Sequence, residues 1–157
     1  MLLAQSRHET ALGKEWMSVK ISQLHLSDFM LFQQADFQWS PGINVICGTN
    51  STGKTALIKL MYSLHKSYEQ WNSTETKEAA VNRFSEKLCG VFRPDNGKLG
   101  RLVRRKQGSA QMTASMSYEN GTSIDVNFGN RASKIATLIL PKMEHTASPD
   151  HTAVYFP

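Results

Sequence analysis

Hydrophobic and polar positions alternate in the first third of the chain. Val19 and Ile21, then Leu24 and Leu26, alternate in two phases, and the slip at Ser22-Gln23 predicts a bulge within one strand. Ser27-Asp28 marks a break before Phe29, and Ala35, Phe37 and Trp39 alternate again as a second strand. Ser40-Pro41-Gly42 has turn chemistry. It leads into Ile43-Asn44-Val45-Ile46-Cys47, a nearly continuous apolar run of the kind a strand buried on both faces requires. Leu57, Leu60, Met61 and Leu64 then recur at helical spacing, which predicts a helix from Gly53 to about Tyr68. Trp71 to Thr74 interrupts it, and Asn72 with Glu75 three residues later predicts the cap of a second helix. In that helix Val81, Phe84 and Leu88 share a face, while Lys77, Glu78, Arg83 and Glu86 face water, and Gly90 and Pro94 end it.

The character changes after residue 98. Leu99 to Val103 is a strand candidate, and Ala110, Met112, Ala114, Met116 and Tyr118 alternate strictly. Asn120-Gly121 is a hairpin signal, and Ile124, Val126 and Phe128 alternate on the return strand. The expectation is an antiparallel β-meander appended to an α/β unit. Ile135 to Leu140 is another apolar run, stopped by Pro141; 141–152 has loop composition, and Ala153-Val154-Tyr155-Phe156 begins a further strand. Residues 1–16 lack periodicity and are expected to be a mobile lead-in, with Met17 an alternative start. Residues 17–157 then form one domain.

Composition narrows the class. The chain is 40% hydrophobic and 20% charged, as in soluble globular proteins. No run is long enough to span a membrane, and Leu2-Leu3-Ala4 is too short for a signal-peptide core, so cytoplasmic residence is the default. A net charge of +5 permits a nucleic-acid partner without establishing one. Lys98, Arg101, Arg104, Arg105 and Lys106 form a basic cluster that either contacts nucleic-acid phosphates or keeps an edge strand unpaired; lacking interleaved aromatics, the edge strand is the favoured reading. Cys47, in the apolar run, is expected to be a small core residue rather than half of a disulfide with Cys89. His145 and His151 are weak zinc candidates, with a loop the favoured reading.

The candidate chemistry sits between apolar run and helix. Gly48-Thr49-Asn50-Ser51-Thr52-Gly53-Lys54-Thr55 fits G-x-x-x-x-G-K-[ST], the Walker A phosphate loop. Gly48 and Gly53 let the backbone turn sharply and approach a ligand. Backbone amides from Gly48, Asn50, Ser51, Thr52 and Gly53 through Lys54, Thr55 and Ala56 can form an anion nest at a helix N-terminus. Lys54 would place a cation on the β- and γ-phosphates of ATP, and the Thr55 hydroxyl would be a Mg²⁺ ligand. The alternative is a strand-to-helix turn with an incidental lysine.

These residues resemble the opening of the ABC-type ATPases of the SMC, RecN, RecF and OLD group, within the wider AAA and P-loop NTPase class. That group carries two antiparallel strands, an xxNF turn and GxNxxxGxNxxGK[ST]. The counterparts are Ser27-Asp28-Phe29 and the run from Pro41 to Thr55, in which Asn44 and Asn50 match. The resemblance covers about residues 17–68, and more loosely the meander. It implies ATP binding, Mg²⁺, head-to-head dimerisation around nucleotide, and roles in DNA repair, chromosome maintenance or phage defence. Met30 stands where an arginine often follows the turn in that group. Residues 1–157 contain no LSGG-like signature and no Walker B strand; Ser123-Ile124-Asp125, the nearest candidate, lacks the glutamate. No catalytic residue is assigned. The expected fold is a P-loop NTPase half-domain, α/β with a mixed sheet, the N-terminal lobe of an ATPase head incomplete at its C-terminus. Its expected partner is the missing second lobe or a full-length protein. The alternatives are an inert or partner-binding fragment and a small P-loop kinase; a GTPase would carry Asp-x-x-Gly and Asn-Lys-x-Asp motifs, which are absent.

Overall fold

The computed structural model describes residues 20–141. The lead-in, Met17, His145, His151 and the segment Ala153–Phe156 lie outside the described residues. Two alternating segments open the fold as β1 (Ile21–Phe29) and β2 (Phe32–Gln38), an antiparallel hairpin in which Phe29 pairs with Phe32. The turn is so tight that Asp28 (φ 49°) and Met30 (φ 45°) both take left-handed backbone. The pairing register of β1 with β3 shifts between Ile21 and Gln23, at the phase slip in the sequence.

Two helices follow, α1 (Lys54–Glu69) and α2 (Lys77–Phe92). Their apolar stripes, Leu57, Leu60 and Leu64 on one and Ala80, Phe84 and Leu88 on the other, are buried in a common core. The cap of α2 is Thr76, whose Oγ1 accepts from the Ala79 amide at 3.2 Å, and not Asn72. Asn72 instead accepts from the Thr74 amide in a local turn, and Glu75 is drawn away by Arg83 at 2.7 Å. Arg83 is therefore half-buried rather than water-facing. The helix runs through Gly90 and stops where Arg93 turns left-handed ahead of Pro94.

The hairpin β3 (Gln111–Tyr118) and β4 (Ser123–Gly129) forms as its alternation dictates, and β5 (Thr137–Ile139) pairs with β4. Burial alternates strictly along both long strands. This meander is not an appendage: β3 pairs with β1, giving one sheet of order β2-β1-β3-β4-β5. Every pair among the described residues is antiparallel, so the expected mixed sheet is not found there. One sheet face, including Leu24, Leu26, Met112, Met116, Val126 and Phe128, joins the helices in the core. The other carries His25, Ser27, Thr113, Ser115, Asp125 and Asn127.

Two predicted strands are not strands. Leu99–Leu102 is a 3-10 turn, and only Val103 bridges, to Phe29. The turn lets Leu99 and Leu102, three residues apart, both reach the core. Gly100 crosses the chain after β4 so closely that a Cβ there would lie 2.3 Å from the Asn130 carbonyl oxygen. The run Ile43–Cys47 forms no ladder either, and Ile43 and Val45 are 93% and 78% exposed. A continuous apolar run becomes a strand when neighbours flank both edges. The described strands all pair with one another in a separate sheet. Cys47 is accordingly exposed, a free thiol and not a core residue.

Candidate functional site

The glycine loop wraps the start of α1. Gly53 is the N-cap residue at φ 89°, and no side chain caps this end of the helix. The first turn holds no acidic residue. The first intrahelical bond runs from the Leu57 amide to the Gly53 carbonyl at 2.9 Å. The preceding amides, Lys54 to Ala56, thus precede the helix's own ladder and carry the positive end of its dipole. Ser51, at φ 65°, turns the loop back on itself. Thr52 Oγ1 donates to the Thr49 carbonyl at 3.0 Å and fixes the curl.

Lys54 closes the arrangement. Its ammonium donates to the Gly48 carbonyl at 2.8 Å and the Thr49 carbonyl at 2.5 Å, with Thr52 Oγ1 at 3.4 Å. An ammonium resting on loop oxygens beside an uncapped helix end offers positive charge and backbone amides that an anion can take up. The fit of the site to a polyphosphate is therefore good. Thr55 is exposed at the second helical position, where its hydroxyl can serve a cation riding on that anion. No group of three or more His, Cys, Asp or Glu able to hold a metal occurs among the described residues, so phosphate oxygens would have to supply most ligands. Asn50, Ser51 and Thr52 are exposed, while Gly53, Lys54 and Ala56 are half-buried. The structure thus brings the sequence-predicted residues, Gly48 through Ala56, into one loop and helix start.

Three supports lie outside the Gly48–Thr55 loop, of which only Asn44 belongs to the longer sequence pattern. Asn44 ties down the turn before the loop: its Oδ1 accepts from the Ser40 amide at 2.8 Å, and its Nδ2 donates to the Ser40 and Gly42 carbonyls at 2.9 and 3.2 Å. Phe32 backs Gly53, where a Cβ would come within 2.9 Å of the ring. The turn bearing Met30, Leu31 and Phe32 is strapped by residues 102–106. The Met30 amide donates to the Leu102 carbonyl at 2.8 Å, the Arg104 amide to the Asp28 carbonyl at 2.7 Å, and Lys106 pairs with the Asp28 carboxylate. Bonds between segments so far apart in sequence leave no local pattern to find.

Behind the loop, α1 is anchored through a polar cluster. His65 Nδ1 lies 3.0 Å from the Tyr118 hydroxyl and its Nε2 3.4 Å from Glu69 Oε1. Burial pushes the His65 imidazole below its ordinary value, against the opposing pull of Glu69. Burial likewise pushes the Tyr118 hydroxyl well above the usual phenol range, with Tyr68 and Glu69 adding to the shift.

A helix opened by a glycine-lysine loop and packed on an antiparallel sheet is the layout of a P-loop ATPase lobe. A family model described as AAA domain matches residues 23–128, and the chain belongs to that family. Curated relatives place it beside the SMC and RecF type. The "DNA replication and repair protein RecF" of Streptococcus equi subsp. zooepidemicus is 33% identical over 87 residues, 55% of this chain and 22% of that protein. The protein of the same name from Corynebacterium jeikeium is 33% identical over 94 residues, covering 57% and 21%. That from Limosilactobacillus reuteri is 34% identical over 77 residues, covering 45% and 21%. The chain thus spans about a fifth of the length of these relatives. No helix among the described residues is long and apolar enough to cross a membrane.

Proposed function

We propose that this chain is the nucleotide-binding first lobe of a RecF-type ATPase, serving DNA repair, chromosome maintenance or phage defence in the cytoplasm. The observation that carries the reading is Lys54, folded over loop carbonyls at the uncapped start of α1. The loop from Gly48 to Ala56 would hold the phosphates of ATP through backbone amides, Lys54 would neutralise the β- and γ-oxygens, and Thr55 would give Mg²⁺ one ligand. Bound Mg²⁺ would draw charge from the transferring phosphoryl group. Positioning a water for attack needs a polar group such as a carboxylate, and residues 1–157 carry no Walker B strand to bring one. Hydrolysis is therefore assigned to a completed head, with a second lobe supplied by a further segment or a partner, and dimerisation around nucleotide.

Exposure of Ile43 and Val45 supports completion by neighbouring strands. It equally favours the second reading, a partner-binding fragment that never turns over ATP. Calorimetry with Mg·ATP tests the nucleotide site, and turnover on adding the missing lobe separates the two readings. Loss of a charge-assisted contact predicts that Lys54→Ala weakens binding by roughly ten- to a hundredfold. Equal affinities for wild type and variant would overturn the assignment. Thr55→Ala should impair only the Mg²⁺-dependent part of binding, so identical metal titrations would remove that role. Turnover is expected only on adding a polypeptide that carries the missing lobe.

A further inference from the structure

Phe32 lies outside the glycine loop, at the start of edge strand β2, yet its ring meets the loop at the residue that begins α1. A Cβ on Gly53 would come within 2.9 Å of two ring carbons, Cε2 and Cζ. The contact falls where the helix has least to hold it. No side chain caps this end of α1, and the first intrahelical bond, from the Leu57 amide, ends on the Gly53 carbonyl. The placement of Gly53 therefore sets where the leading amides of Lys54, Thr55 and Ala56 point. A nest binds an anion when its amides converge, and the groups around a site must hold it to about 0.5 Å.

The ring is itself held from two sides. Phe32 packs edge-on against Phe37, with centroids 5.9 Å apart at 86°, and Phe37 stacks on Trp39 at 5.9 Å and 18°. Trp39 is followed by the turn at 40–42 that Asn44 ties down and that leads into the loop. One aromatic row thus runs from the entrance of the loop to its exit. On the other side, the turn that carries Phe32 is clamped by the basic stretch 98–106. That stretch is a 3-10 turn and a loop, not the edge strand its charges suggested. It grips Asp28 and Met30 through the Arg104 amide, the Leu102 carbonyl and Lys106. Asp28 and Met30 both take left-handed backbone, a conformation that persists only when the surroundings enforce it.

We propose that Phe32 is a positioning residue for the phosphates: its ring, braced by Phe37 and by the strap at 102–106, fixes Gly53 and with it the anion-binding amides and Lys54. The proposal rests on the nucleotide reading of the loop, and it assigns the ring to the loop backbone rather than to the base.

The test compares binding of Mg·ATP and of magnesium tripolyphosphate to the 157-residue chain by calorimetry. Phe32→Ala should weaken both by the same factor, roughly tenfold, as loss of a partner that orients a ligand-holding group does. Phe32→Met, which keeps a long apolar side chain, should regain part of the loss. Leu138→Ala truncates a buried side chain on the opposite edge strand and lowers stability there. It should change neither affinity by more than about twofold. Amide hydrogen exchange by NMR, without ligand, adds a second readout. The Leu57 amide should exchange faster in Phe32→Ala relative to the Leu64 amide further along α1, with the ratio unchanged in Leu138→Ala. A loss confined to Mg·ATP would place the ring on the base, and equal losses in Phe32→Ala and Leu138→Ala would reduce the effect to general stability. Either result overturns the proposal, as does an unchanged Leu57 ratio. If Phe32→Ala does not fold, Phe32→Met carries the same comparison with a smaller loss. Wild type binding neither ligand would sink the nucleotide reading and the phosphate role together, while the Leu57 ratio still reports whether the ring fixes the loop. Binding unchanged in Phe32→Ala would sink the role of the ring alone.

Discussion

The β3–β4 hairpin and the run Ile43–Cys47 are both rich in apolar side chains, yet one is a finished strand pair and the other stands in solvent. The difference lies in pattern. Strict alternation gives β3 and β4 one face for the core and one for water, and a two-residue turn signal brings them together without help. A continuous apolar run has no solvent face. It is a strand only in company, and the described sheet has none to give it.

The largest effect that would test this contrast comes from Phe128, fully buried on β4. Phe128→Ala should cost about 3–5 kcal/mol in urea denaturation, as core truncations do. Gly53→Ala comes next. The left-handed φ alone costs about 1–2 kcal/mol with a side chain. Contact with Phe32 adds to that, and Mg·ATP affinity should fall with it. An unchanged melting temperature would mean that neither the left-handed turn at Gly53 nor the ring against it is as described.

A third effect is pH-dependent. Because burial lowers the His65 pKa in the folded chain, the unfolded chain binds the proton more readily. The stabilisation is therefore complete above the ordinary imidazole value of about 6.5 and is lost as pH falls from there through the folded value. Unfolding midpoints at mildly alkaline and mildly acidic pH should differ less for His65→Phe than for wild type; identical differences would remove the anchor from the account.

The smallest expected effect is at the exposed run. Ile43→Ser and Val45→Ser should each change stability by less than about 0.5 kcal/mol, as surface substitutions do. The two thiols sharpen the same point. Cys47 is exposed, whereas Cys89 is half-buried, donates to the Gly97 carbonyl at 3.4 Å and is pushed up by burial and by Glu86. A thiol reagent should label Cys47 first. Protection of Cys47, or a large cost at Val45, would show that the run is already covered.

What the sequence made legible was local. The span of α1, the slip in β1, the hairpin at Asn120-Gly121 and the loop from Gly48 to Thr55 are each written within a few residues of themselves. Asn72 and Glu75 fitted a capping pattern, but an arginine eight residues beyond Glu75 claimed its carboxylate and Thr76 capped the helix. Leu99–Val103 had strand composition, but the close crossing at Gly100 bent it into a turn. The pairing of β1 with β3, the backing of Gly53 by Phe32 and the pair Asp28–Lys106 depend on residues that only the finished fold brings together.

The central pairing of the sheet also sets a schedule. Leu24 sits opposite Met116, so β1 must wait for a strand roughly ninety residues later in the chain. At a synthesis rate of roughly 5–20 residues per second, that gap lasts about 5 to 20 s on the ribosome. Throughout it the first hairpin has one edge of β1 unpaired and Leu24 and Leu26 without their partners on β3. The nascent chain is most vulnerable to mispairing in that window, and α1 and α2, made while it lasts, are what shield the waiting face.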